Sequence, residues 1–217
     1  MPDRPLFISF EGGEGAGKTT QIKLLTSFIE ECGYTVCLTR EPGGTLEAEK
    51  IRNLLVQRDG GDWTAEAEVM LLYAARHMHV EKLIKPHLEK GDIVITDRFA
   101  DSTRAYQSYG HGLPLEFVND IHARVLGDFE PDITFLLDIP VNEGLARSLS
   151  HLSQSSGDEK SEDRFEKLDT SFHQKLRQGF LELANAHPNR FVVIDATQDI
   201  ETIQSTLQEK VHEALNG

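Results

Sequence analysis

The chain has 217 residues, 39% hydrophobic and 27% charged, enough apolar material for one sizeable core and a single domain over 1–217. Its formal net charge of −14 repels nucleic acid and anionic membrane, so neither is expected as a partner, and an anionic substrate has to be met by a local cluster of Lys and Arg. The cysteines, Cys32 and Cys37, lack a His or Cys partner at metal-ligand spacing and read as reduced core thiols. The first apolar run, Leu6–Phe10, is too short for a signal peptide or a membrane span, which points to the cytoplasm.

Leu6–Phe10 is predicted to be a buried strand, and Ile22, Leu24, Leu25, Phe28 and Ile29 carry helical spacing up to Gly33. Tyr34–Leu38 reads as a second strand, Thr39–Thr45 as a loop, and Leu46–Val56 as a helix with Ile51, Leu54 and Leu55 inward. After the turn at Gly60-Gly61-Asp62, Thr64–His87 forms one long helical pattern with Pro86 near its end. Ile93–Thr96 is a third strand, Phe99–Gly112 a mixture of loop and helix, and Leu115–Leu126 a helix. Ile133–Leu137 is a fourth strand and Val141–Leu149 a helix. The Ser-rich, charged stretch from Ser148 to Asp163 reads as a mobile surface segment. Phe165–Ala186 is helical, Phe191–Ile194 the last strand and Ile200–Leu215 the last helix. Five alternations of strand and helix predict a parallel sheet with helices on both faces, a three-layer α/β fold whose ligands sit beyond the carboxyl ends of the strands.

The stretch "FEGGEGAGKTT" joins the first strand to the first helix, the context a phosphate-binding loop requires. Glycines let successive N–H groups turn inward, and the helix start adds its positive end. Gly12, Gly13, Glu14, Gly15, Ala16, Gly17, Lys18, Thr19 and Thr20 form this loop, with Lys18 reaching the β- and γ-phosphates and the Thr19 hydroxyl available to Mg²⁺. The chain has no Asp-x-x-Gly or Asn-Lys-x-Asp string, which sets a GTPase switch aside, and it is too short for a motor with a mechanical domain. A small-molecule kinase remains. The second strand leads into "TREPGGT", the third into "TDRFADSTRAYQ", and the long helix contains "LLYAARH", so Arg40, Arg98 and Arg76 emerge near one sheet edge as the required basic cluster. Each has a bland alternative, Glu41 as a solvated turn charge and Asp97-Arg98 as a surface ion pair, and the joint placement beside the glycine loop argues against such coincidences. The nine histidines show no general-base motif and read as surface or core residues.

These strings, together with "LLDIP", "DRFE" and "IDAT", run in order from Leu6 to the last helix, and with them the chain resembles the thymidylate kinase family, P-loop enzymes that phosphorylate dTMP with ATP. The resemblance implies a P-loop NTPase fold, formation of dTDP from dTMP and Mg-ATP for dTTP and DNA precursor synthesis, and a homodimer packed through helices beside the acceptor pocket. Glu14 would meet the 3′-hydroxyl of the acceptor, and Asp97 would help hold Mg²⁺ through water. Arg98, with Arg40 or Arg52, would grip the acceptor phosphate, and Arg76 would donate to a thymine carbonyl. Ser102, Tyr106 and Gln107 would line the nucleoside pocket, and Ala196 and Gln198 would lie near adenine. Where the family has an aromatic residue stacking on the base, this chain has Leu72. The segment from Ser148 to Arg164 would be a lid, with Lys160 standing in for the lid arginine as a further catalytic cation. Two other readings stay open: a kinase of another nucleoside monophosphate or of a deoxynucleoside, and a nucleotide-binding module without turnover, which the intact Lys18, Thr19, Asp97 and Arg98 oppose.

Overall fold

The computed structural model describes residues 5–56, 61–154 and 169–216. Five strands, β1 (Leu6–Glu11), β2 (Val36–Arg40), β3 (Ile93–Asp97), β4 (Ile133–Asp138) and β5 (Phe191–Asp195), form one sheet in the order β2-β3-β1-β4-β5. Every pairing is parallel, with Phe10 opposite Asp97 and Arg40 opposite the same Asp97 from the other side. The expected strands end before the charged residue that follows each apolar run, or, at Leu38, two residues short of it. Their ladders in fact run on to Glu11, Arg40, Asp97, Asp138 and Asp195, because backbone hydrogen bonds do not need an apolar side chain. Charged residues thereby close every strand at the same edge of the sheet.

Side-chain alternation along β1 sorts the two faces. Leu6, Ile8 and Phe10 pack with α1 (Lys18–Glu31) and α9 (Ile200–Asn216) through Leu25, Ile29, Ile203 and Leu207. Phe7 points the other way, against Phe99 and Phe129. That second face also carries α8 (Thr170–Ala186), whose Phe172, Leu176 and Phe180 cover Ala105 and Tyr106.

The helix α2 (Leu46–Val56) has the expected bounds, but Leu54 is exposed and only Leu55 of its predicted inward leucines is buried. The long pattern after Thr64 is not one regular helix. α3 (Ala65–His79) passes into a π-helical turn, Val80–Ile84, and then into α4 (Lys85–Glu89). The wide turn lies just ahead of Pro86, whose missing N–H and ring do not fit a regular ladder. Residues 99–112 are more helical than expected, with α5 (Ala100–Thr103) continued by a π-helical stretch, Arg104–Gly110. α6 (Leu115–Leu126) is as predicted, and α7 (Val141–Gln154) extends beyond Leu149 into the serine-rich stretch. Both cysteines are free; Cys37 is half-buried and packs against the core cluster around Phe7, Val94 and Phe99, whereas Cys32 is exposed and no core thiol, because it caps the end of α1, where the chain turns at the surface. Among the described residues no helix is long and apolar enough to cross a membrane.

Candidate active site

The glycine loop leaves β1 at Gly12 (φ +136°) and enters α1 through Gly17 (φ +87°). These backbone angles belong to glycine, and space demands it as well: a Cβ at Gly12 would meet the Leu137 carbonyl oxygen at 2.5 Å, and one at Gly15 would collide with the Gly144 carbonyl of α7. Lys18 folds over the loop and donates to the carbonyls of Gly12 and Gly13, both at 3.1 Å. Burial and the neighbouring Arg98 cation push its pKa down. Beside it runs a groove of about 980 Å³, lined by Lys18, Thr19, Thr20, Asp97, Ala196 and Gln198 among others. Arg147 of α7 donates to the Ala196 carbonyl at 2.9 Å at its rim. A second cavity, of about 320 Å³, lies between the loop, α2, α3 and α5. Leu55, Val56, Leu72 and Phe99 give it apolar walls, and Glu14, Arg52, Arg76, Arg98, Tyr106 and Gln107 are among the polar groups that line it. This is the makeup of a small-molecule site.

Arg98 stands where the two spaces meet, and with Gly15 it lines both. Its φ is +69°, a conformation that costs a non-glycine residue of the order of 1–3 kcal/mol and persists only where the surroundings enforce it. The guanidinium donates to Gly12 O at 3.2 Å, to Ser102 Oγ at 3.1 Å and to Glu14 Oε1 at 3.4 Å, and it lies over the Tyr106 ring. Glu14 also accepts from the Tyr106 hydroxyl and has His173 Nδ1 at 3.6 Å. Burial raises the Glu14 pKa, but His173, Arg98 and Lys18 together outweigh it and hold the carboxyl at about 2.

The structure brings together Arg98, Arg52, Arg76, Glu14, Leu72, Ser102, Tyr106 and Gln107 around the smaller cavity. Arg40 is not among them: it lines the wide groove and pairs with Glu49 at 3.2 Å, more than half exposed, whereas Arg52 borders both spaces and donates to Pro42 O at 2.9 Å. Leu72 faces the cavity, while its neighbour Tyr73 turns away and hydrogen-bonds His122 Nδ1 at 3.3 Å. Arg76 is buried, with Nε donating to Glu41 at 2.7 Å and Nη2 to Phe99 O and Thr103 Oγ1. Its Nη1 has no hydrogen-bond partner. Gln107 donates to Glu68 at 3.0 Å, which leaves its Oε1 without a partner. Lys160 and the rest of the expected lid beyond Gln154 lie outside the described residues.

Some contributors escaped the sequence reading. Glu41 is no solvated turn charge. It is buried, and it joins Arg76 to His79, whose other ring nitrogen lies 2.7 Å from Thr39 Oγ1. Burial raises the Glu41 pKa, and the Arg76 charge and the His79 bond more than reverse that shift. His79 and His173 read as surface or core histidines, and both are core residues set directly against site carboxylates. The available signal for Glu41 was its place at the end of a strand, before Pro42-Gly43-Gly44.

A family model described as Thymidylate kinase matches residues 10–207 of the chain. The thymidylate kinase of Caulobacter vibrioides is 43% identical over 209 residues, which cover 96% of this chain and 97% of that protein. The thymidylate kinase of Desulfosudis oleivorans is 46% identical over 191 residues, 88% of this chain and 89% of that one. The crystal structure of thymidylate kinase from Ehrlichia chaffeensis superposes with a TM-score of 0.76 at 36% identity, covering 96% of this chain and 99% of that one.

Proposed function

The chain belongs to the thymidylate kinase family, and from that premise we propose that it transfers the γ-phosphoryl group of ATP to dTMP, giving ADP and dTDP for dTTP synthesis. One observation carries the reading: Arg98 and Gly15 border both the wide groove over Lys18 and the smaller cavity. Two nucleotides laid in these spaces meet end to end at a fixed cation. ATP occupies the groove, its phosphates against the glycine loop and Lys18, and its base toward Ala196 and Gln198. dTMP occupies the cavity, its phosphate at Arg98 and Arg52 and its 3′-hydroxyl at Glu14. Leu72 lies against the thymine, Arg76 Nη1 offers a donor to a base carbonyl, and Ser102, Tyr106 and Gln107 complete the walls.

The acceptor phosphate is a dianion at neutral pH, so no side chain has to remove a proton. The barrier is the approach of two anions in line. The protein lowers it by alignment and by fixed positive charge at Lys18 and Arg98. Asp97 Oδ1 is buried and has no hydrogen-bond partner, and it lines the same groove as the Thr19 hydroxyl, an oxygen donor set that fits Mg²⁺. Thr19 and, through water, Asp97 would hold the ion, which neutralises phosphate charge when bound. The same reading includes one domain, a cytoplasmic location with the nucleotide pools, and a homodimer. Exposed Met70 on α3 and Leu54 on α2 leave apolar surface beside the cavity for that contact.

The test is ADP release from Mg-ATP with dTMP, other nucleoside monophosphates and thymidine as acceptors. dTMP is expected to be preferred. A better rate with thymidine would remove the phosphate-binding role of Arg98, and absence of turnover with every acceptor would leave a binding module.

A further inference from the structure

Glu11 ends β1 fully buried, in a strand whose other residues, Leu6–Phe10, carry no charge. None of the roles above uses it. Alternation along the strand turns Phe10 toward α1 and puts Glu11 on the opposite face, with Phe7 and Ser9, directly under the turn that follows β3. A carboxylate buried there is tolerated only if its oxygens find donors. They do: Oε1 accepts from Phe99 N at 2.8 Å and Ser102 N at 3.3 Å, and Oε2 accepts from the Ser102 hydroxyl at 2.6 Å.

These bonds hold the segment directly after Arg98, the only non-glycine residue with positive φ among the described residues. The amide after it and the helical turn that follows are both tied to one carboxylate. The tie extends to the guanidinium. An ionised carboxylate only accepts and a guanidinium only donates, so the single hydroxyl proton of Ser102 goes to Glu11 and its lone pairs face Arg98 Nη1, 3.1 Å away. We infer that Glu11 is a positioning residue for acceptor binding, holding the Arg98 turn through its backbone and aiming the Arg98 guanidinium through Ser102 at the phosphate of a nucleoside monophosphate. The inference rests on the acceptor reading above. Burial and the nearby Asp101 carboxylate push the Glu11 pKa up to about 7, against Ser102, Arg98 and the Phe99 N–H, and Lys18 and Tyr106 also feel its charge. The ionised form that orders the relay therefore predominates at pH 8.

The experiment is a double-mutant cycle at pH 8, with dTMP and ATP binding measured by calorimetry for the wild type, Glu11→Gln, Arg98→Ala and the double variant. Glu11→Gln keeps an acceptor for the two amides but sets a donor against Ser102. It is expected to weaken dTMP about tenfold and ATP less than about twofold, and to add less than about twofold once Arg98 is gone. Unchanged dTMP affinity, or the same loss with and without Arg98, overturns the inference. If Glu11→Gln does not fold, Ser102→Ala, which removes the hydroxyl between the carboxylate and the guanidinium, takes its place in the cycle. Ser102 also lines the cavity, so a loss of dTMP affinity that disappears in the Arg98→Ala background supports the relay, and one that persists there overturns it. The ¹⁵N spectrum of the arginine side chains supplies a ligand-free readout. The Arg98 Nη–H signals should be resolved in the wild type and averaged in the variant, and unaltered signals count against the role. Failure of the wild type to bind dTMP would instead reject the acceptor reading, and the guanidinium spectrum would still decide the role of Glu11.

Discussion

Arg98 is held in a left-handed backbone conformation, with its guanidinium spread over Gly12 O, Ser102 Oγ and Glu14 Oε1. On the proposed reading two anions approach at this guanidinium, where fixed charge is worth far more than the same charge on a mobile chain. Arg98→Ala is expected to lower kcat/KM with dTMP by about a hundredfold to a thousandfold while ATP still binds, as steady-state kinetics and ATP titration will show. Leu72 meets the cavity with an aliphatic side chain, so Leu72→Phe should reduce KM for dTMP about fivefold, the effect of roughly 1 kcal/mol of added aromatic contact. Glu14 links residue chemistry to stability. Its pKa falls from 4.5 to about 2 on folding, so its contribution is complete above pH 4.5 and is lost as pH drops toward 2. Urea midpoints followed from pH 6 to pH 3 should show about 2 kcal/mol of the roughly 3 kcal/mol that the shift carries in full, and Glu14→Gln should remove that part of the slope.

At the scale of elements, the cavity is shaped by where helices begin. α3 starts at Thr64, whose side chain accepts from Ala67 N at 3.3 Å, and it presents Glu68, Leu72 and Arg76 at helical spacing to the cavity. Thr64→Ala removes that cap. It should cost about 1 kcal/mol, a Tm lower by roughly 2–4 °C, with kcat unchanged because the cap touches no cavity group. Element identity was largely legible in the chain: all five strands and the α2 and α6 bounds follow from apolar runs and helical spacing. The misses share a cause. The π-helical turns at Val80–Ile84 and Arg104–Gly110 are choices among hydrogen-bond ladders of similar apolar pattern, and side-chain periodicity does not separate them. Of the site, the glycine loop and Arg98 were legible because phosphate chemistry restricts residue types. Glu41 and His79 were not, because a charged residue next to a turn looks alike whether it is solvated or buried against a partner.

At the scale of the molecule, a polar network on the second face of the sheet ties distant segments together. Asp101 is fully buried and accepts from Arg104 Nη1 at 2.9 Å and from both terminal nitrogens of Arg190, which precedes β5 and also donates to Thr134 of β4 at 2.7 Å. Removing one partner from a buried ionic cluster leaves a charge uncompensated. Arg190→Ala should therefore destabilise the protein by about 3–5 kcal/mol in chemical denaturation, far more than an exposed ion pair would. The same network fixes α5, which carries Ser102, so the sheet's far edge and the smaller cavity share one support.

The amino-acid order by itself determined the strand–loop–helix alternation, the parallel sheet and the phosphate loop, because these depend on apolar period, glycine geometry and residue type, all local properties. Which charges face which was decided only by the tertiary structure. Glu11, Glu41 and His79 gain their partners from segments between 35 and 91 positions away, as in the bonds to Arg76, His79 and Ser102. Arg40 and Arg52, alike in a chain read by composition, part company when α2 packs: one pairs with Glu49 over the wide groove, the other borders both spaces. Burial sets the strength of a charge and its partners set its direction, and neither exists until the chain has closed on itself.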